Sequence, residues 1–357
     1  MRAAVLFIAT CSFAFDAPKA KNVILFLADG TGIPTVNAAS IHGYGKPRSL
    51  YLQRMPYIGL SETSSASSWV TDSAAGMTAI VTGVKTHNGV ISQGPDAERG
   101  LKNGEGLKTI LEYAEEKGLS TGVVSNSPMA DATPAACYAR SNDRSKWGEI
   151  FLQVANSRYG DGIDIVIGPG RTRILADIAA LGADLSAELK KKNFSFYDSL
   201  QGWDAAAEKR VVALFDGDDF DLGDAVDRAI RILSKNPKGF FLMVESNNHS
   251  KSPQKDLDRV VRFDQIIKSV ADARRKDSLI LFTADHSYDL RLPKGKRTEP
   301  IVPSMKFEGS HTAEEVLIAA EGPGADQVRG FMQNTDLFHV MMRAYGWTPV
   351  LAASGAQ

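Results

Sequence analysis

The chain alternates short, nearly unbroken apolar runs with stretches of helical spacing. Residues 22–28 (Asn-Val-Ile-Leu-Phe-Leu-Ala) form the first such run and lead into Asp29-Gly30-Thr31-Gly32. A continuous apolar run closed by a turn reads as a strand buried on both faces. Comparable runs at 121–125, 163–168, 210–215, 240–244, 278–284 and 316–320 predict six further strands. Helical spacing falls between them, at 74–81, 107–117, 225–234, 256–275 and 337–345, with one or two helices in 174–192. In 256–275 the apolar positions are Leu257, Val260, Val261, Ile266, Ile267 and Val270, a stripe down one helix face. Strand and helix alternate throughout. The predicted fold is therefore α/β: a three-layer sandwich, its central and mostly parallel sheet covered by helices on both faces.

That pattern gives certain polar residues a meaning. In open α/β sheets ligands bind at the carboxyl ends of the strands. Asp29, Glu245 and Asp285 each follow a buried run. One such acid reads equally well as a turn former; three read as metal ligands gathered along one sheet edge. His286 and His311 add imidazoles, and carboxylate with imidazole suits zinc. His42, His87 and His339 carry no such context and read as structural. Ser73 stands in Val70-Thr71-Asp72-Ser73-Ala74-Ala75-Gly76-Met77-Thr78, ahead of the predicted helix 74–81. A helix start favours an anion near the hydroxyl, and small neighbours let a bulky group approach. An ordinary N-cap serine would look the same.

Composition narrows the class. The chain has 357 residues, a net charge of −1 and 23% charged residues, so no basic field for nucleic acid is present. Residues 1–14 read as a short signal peptide, which places the protein in the periplasm or outside the cell. No other run is long enough to span a membrane. Cys11 and Cys137 are the two cysteines; cleavage leaves one, and no intrachain disulfide.

From Val70 to Ala75 the chain resembles the alkaline phosphatases. Asp29-Gly30, Asp131-Ala132-Thr133-Pro134, the run 239–245, Thr283-Ala284-Asp285-His286 and His311-Thr312-Ala313-Glu314 follow in the family's order. The resemblance implies one catalytic domain over 20–348 that hydrolyses phosphate monoesters, with inorganic phosphate as product. It implies Ser73 as nucleophile through a phosphoserine, and Asp29, Asp285 and His286 with the serine oxygen around one zinc ion. His311 would bind a second zinc. Asp131, Thr133 and Glu245 resemble a third, magnesium site. Arg144, thirteen residues after Asp131, takes the place of the phosphate-binding arginine.

The chain departs from that pattern in places. Well-known members carry an aspartate and a histidine after the strand-end glutamate where this chain has Ser250 and Gln254. His249 is the replacement expected at the second zinc, with Asn247 as a weaker partner. The short segment between His286 and His311 predicts a reduced crown, so both a monomer and a homodimer are open. Two other readings compete: a phosphodiesterase of the same superfamily, and a catalytically impaired metal- or phosphate-binding homologue.

Overall fold

The computed structural model describes residues 19–348. The signal-peptide reading of 1–14, and Cys11, lie outside them. The strands are β1 (Asn22–Asp29), β2 (Tyr57–Ser61), β3 (Ser120–Ser125), β4 (Ile165–Pro169), β5 (Ser195–Tyr197) and β6 (Val211–Phe215). They continue with β7 (Phe240–Asn247), β8 (Ser278–Thr283), β9 (Ser287–Arg291), β10 (Lys306–Thr312), β11 (Val316–Glu321) and β12 (Gly330–Met332). Ten of these form one sheet in the order β12-β2-β11-β8-β1-β7-β3-β4-β6-β5, and β9 with β10 forms a separate hairpin. From β8 to β5 the neighbours run parallel, and β11 alone runs antiparallel to both of its neighbours.

All eight residues of β1 are buried, as its apolar run requires. They divide by parity. Val23, Leu25 and Leu27 join a core that includes Ala74, Met77 and Ile80 of the helix Ser73–Thr82 and Ala132 and Ala135 of the helix Ala132–Tyr138. Ile24, Phe26 and Ala28 join the opposite core, against Val36, Val226 and Phe263 of the helices Ile33–Tyr44, Leu222–Leu233 and Pro253–Arg274. The period-two alternation of a strand thus feeds two helical layers.

The stretch 174–192 resolves into two helices, Arg171–Ala180 and Leu185–Lys191. The short elements β2, β5, β9, β10 and β12 and the helix Ile33–Tyr44 carry no clear periodic signal and were not expected. Glu245 does not end its strand: β7 runs on to Asn247, and Asp29 pairs directly with Asn247 in the ladder. Asp285 lies two residues beyond the end of β8. Because β8, β1 and β7 are consecutive in the sheet, their carboxyl ends converge on one place.

Candidate metal centre and catalytic site

The last residue of β1 is Asp29, and the turn after it brings Gly30 against the imidazole of His249, from beyond β7. Asp29, His249 and His286 offer ligand atoms that all lie within 4.8 Å of one another. His249 Nε2 is 2.9 Å from Asp29 Oδ1. His286 Nε2 is 3.3 Å from Asp29 Oδ1, 3.4 Å from Asp285 Oδ2 and 3.2 Å from Ser73 Oγ. His286 Nδ1 lies 3.1 Å from the carbonyl oxygen of Ser287. A carbonyl can only accept, so Nδ1 carries a proton and Nε2 is the ring nitrogen that faces the carboxylates. Buried carboxylates and imidazole nitrogens crowded this closely form a donor set suited to a cation.

His311 arrives from the hairpin strand β10. Its ring stacks on His286 with centroids 3.6 Å apart, and its Nδ1 lies 3.0 Å from the carbonyl oxygen of Thr71. That bond makes Nδ1 the donor and leaves Nε2 as the ring nitrogen open to a ligand. Ser73 is buried and opens its helix, but it is not the N-cap. Asp72 caps the helix, its Oδ1 accepting from the Ala75 amide at 3.0 Å. The plain N-cap reading of Ser73 therefore fails, and its hydroxyl is left to the site.

Behind this cluster lies Glu245, buried, with one oxygen accepting from the Ser125 hydroxyl. Its other oxygen is buried and unpartnered, and so is Oδ2 of Asp285. Leaving a buried acceptor unmade costs about 1–3 kcal/mol, more when it is charged. Two orphaned carboxylate oxygens beside Asp29 therefore fit metal cations. The electrostatics agree. Burial pushes Glu245 well above the usual carboxylate range, and the neighbouring charge of Asp29 adds to it. Burial and Asp29 likewise raise Asp285 to about 6. Burial opposes ionisation of Asp29, but His249, then His286 and His311, outweigh it and hold that carboxyl well below its ordinary value. Burial lowers His249, yet Asp29 prevails and carries it up to about 9. Burial, with His286, lowers His311.

Other residues singled out in the sequence are held by hydrogen bonds around the cluster. Arg144 Nη2 donates to Asp131 Oδ1 at 2.8 Å and Nη1 to Asp72 Oδ2 at 3.1 Å. Burial disfavours the guanidinium charge, but these two carboxylates raise Arg144 above its ordinary range. Asp131 Oδ1 thus accepts from both Arg144 and the Ala132 amide, and the Asp131 charge also acts on Glu245. Thr133 is buried at the second position of the helix that Asp131 caps. Asn247 uses its amide internally: Nδ2 donates to Ser127 Oγ at 3.1 Å, and Oδ1 accepts from the His249 backbone at 3.2 Å. It shapes the loop that carries His249. Ser250 and Gln254 turn to Asp256 and to the pair His42–Asp258.

Three contributors were not assigned from sequence. Asp72 clamps both Arg144 and the Gly89 amide, and only its place beside Ser73 signalled it. Ser125 bonds Glu245, and Tyr288 packs its ring 5.0 Å from that of His249. Neither has a signal short of the fold.

The family model for alkaline phosphatase matches residues 20–178 and 207–299. The chain belongs to the alkaline phosphatase family. It is 28% identical to the alkaline phosphatase of Escherichia coli (strain K12), over 93% of this chain and 87% of the relative. It is 28% identical to the tissue-nonspecific isozyme of Rattus norvegicus, over 89% of this chain and 73% of that one. Among solved structures, alkaline phosphatase from the Antarctic bacterium TAB5 superposes with a TM-score of 0.79 at 28% identity, covering 93% of this chain and 100% of that one. A variant of the TAB5 enzyme is solved with Mg bound. The family and its relatives make this chain a phosphatase-type hydrolase whose site takes metal cofactors. Among the described residues no helix is long and apolar enough to cross a membrane.

Proposed function

We propose that this alkaline phosphatase family member hydrolyses phosphate monoesters through a phosphoserine on Ser73. The observation that carries the reading is the 3.2 Å approach of the buried Ser73 hydroxyl to His286 Nε2, inside a cluster with orphaned carboxylate oxygens. Asp29, Asp285 and His286 would hold one zinc ion beside Ser73. His249 and His311 would hold a second, with Asn247 orienting His249. Asp131, Thr133 and Glu245 would face magnesium, with Asp131 also holding Arg144.

Bound metals supply positive charge that lowers the serine hydroxyl's pKa and neutralises the oxygens of an in-line displacement. The chain's own residues do the rest. The helix start at Ser73 fixes the hydroxyl where backbone N–H groups favour an anion. Asp72 and Asp131 hold the Arg144 guanidinium flat and oriented, so its N–H groups can turn to two phosphoryl oxygens with little ordering cost. Ser73 Oγ forms its bond to phosphorus as the ester P–O bond breaks and the alcohol leaves. Water then attacks the phosphoserine, releases inorganic phosphate and restores Ser73. The signal-like residues 1–14 support a periplasmic or secreted location.

The test is turnover of 4-nitrophenyl phosphate by protein stripped of metal with a chelator, before and after zinc and magnesium are returned. Activity should vanish and come back. Metal-independent turnover, or faster turnover of bis(4-nitrophenyl) phosphate than of the monoester, would overturn the reading.

A further inference from the structure

The chain segments that lead into and out of this site are not polar throughout. Three of the large apolar side chains left exposed among the described residues lie within four positions of Asp29 or Ser73: Ile33 at 42%, Val70 at 36% and Trp69 at 85% exposure. An indole this exposed gains nothing from burial in its own chain.

The backbone that carries Trp69 is fixed on both sides. Before it, the Ser65 amide donates to the Ser68 carbonyl at 3.0 Å and the Ser68 amide to Ser65 Oγ at 3.1 Å. After it, Asn88 Nδ2 donates to the Val70 carbonyl at 3.0 Å, and the Thr71 carbonyl lies 3.0 Å from His311 Nδ1. Asp72 then accepts from the Gly89 amide at 2.8 Å. A loop ordered at both flanks presents the ring with its conformational cost already met, and preorganisation favours binding for that reason. The same loop is hydrogen-bonded to the site at His311 and runs directly into Ser73. Four residues span at most about 14 Å, so the Cα of Trp69 stands within that distance of the Cα of Ser73. That is the reach of a nucleoside held by its 5′-phosphate.

We infer that Trp69 is a leaving-group subsite: a stacking platform for the heteroaromatic base of nucleoside monophosphates held by their phosphate at Ser73. This deepens the phosphomonoesterase reading and rests on it. Base–aromatic stacking tolerates any base because each presents a π face. The subsite would therefore select purine and pyrimidine nucleotides as a class over sugar and alkyl phosphates. Trp69 touches the leaving group alone, so it tunes specificity and leaves the phosphoryl step to the residues described above.

AMP and ribose 5-phosphate share a primary 5′ oxygen as leaving group and differ in the base, so their comparison isolates stacking from leaving-group reactivity. The metal-loaded enzyme should show a kcat/KM for AMP about tenfold or more above that for ribose 5-phosphate. In Trp69→Ala this ratio should fall to near one through loss on AMP alone, and Trp69→Phe should retain part of it. The ribose 5-phosphate value in Trp69→Ala reports that the variant is folded and loaded. In the Ser73→Ala background, AMP should quench tryptophan fluorescence in a way that Trp69→Ala removes. An unchanged ratio in Trp69→Ala overturns the subsite and leaves the phosphatase reading standing. So does a Trp69→Ala variant that dissociates a dimer while keeping the AMP preference. Absence of hydrolysis of both esters by the native protein overturns both.

Discussion

His249 Nε2 lies 2.9 Å from Asp29 Oδ1, although 220 positions separate the two residues. The contact depends on Gly30, whose φ of +70° and lack of a side chain leave room for the imidazole. A Cβ on Gly30 would sit 2.6 Å from His249 Cδ2. Gly30→Ala should therefore displace His249, cut zinc affinity about tenfold or more and leave the fold in place. His249→Ala should lose one zinc ion per chain with magnesium retained. Asn247→Asp should strengthen zinc binding, since an anion beside a dication outweighs an amide dipole. Metal analysis after gel filtration reads all three; unchanged zinc content in His249→Ala refutes the assignment.

Ser73→Ala should lower turnover of a monoester by at least about a thousandfold and abolish phosphoenzyme formation. The circular dichroism spectrum should be unchanged, because Asp72, not Ser73, caps the helix. Acid-quenched labelling with a radioactive phosphate ester measures the intermediate directly. Label on the Ser73→Ala protein would place the nucleophile elsewhere.

Arg144→Ala should weaken inhibition by inorganic phosphate about ten- to a hundredfold, the worth of a charge-assisted hydrogen bond of about 1.5–3 kcal/mol. Metal content should not change, because Arg144 touches Asp72 and Asp131 and none of the clustered histidines. Asp72→Asn should reproduce part of the effect by loosening one side of the guanidinium. Inhibition constants for phosphate across the three proteins decide the matter.

Glu115, far from the site, predicts a pH dependence of stability. Its carboxylate accepts from the Thr121 hydroxyl and, at 2.9 Å, from the Gly162 amide. Burial, with Asp164 and Asp161 nearby, nonetheless raises it to about 8 from an ordinary 4.5. The folded state thus holds a proton that the unfolded state loses, and stability falls as pH rises between about 4.5 and 8. Glu115→Gln removes that penalty. Its Tm should match the native protein near pH 5 and exceed it above pH 8, by an amount corresponding to a few kcal/mol, at most about 5. A Tm difference independent of pH would show that Glu115 is not protonated in the fold.

The buried strands were legible before folding was considered. A strand covered by helices on both faces is apolar along its centre; β1, β4, β6, β7, β8 and β11 carry such a run, and in β3 it shrinks to Gly122, Val123 and Val124. Their boundaries were less so. β7 continues through Ser246 and Asn247, polar residues whose ladder partners on β1 are Ala28 and Asp29, so pairing there overrides local polarity. The edge strands β5 and β12, β2 beside β12, and the hairpin of β9 and β10 are short and lack a continuous apolar run, so no local pattern announces them.

The sequence by itself determined the layered α/β architecture, the acids placed beyond buried strands and the serine at a helix start, because each follows from burial or local backbone chemistry. Only the tertiary structure decided how these groups are shared out. Asp131 is turned to Arg144, and Asn247 to Ser127, because the packing of helix Ala132–Tyr138 and the loop after β7 brings them there. His249 reaches Asp29, and His311 stacks on His286, because β8, β1 and β7 are adjacent and a separate hairpin folds back over their ends. Distances of 3 Å between residues hundreds of positions apart are properties of strand order, and strand order is fixed by which apolar faces bury one another, not by any local run of residues.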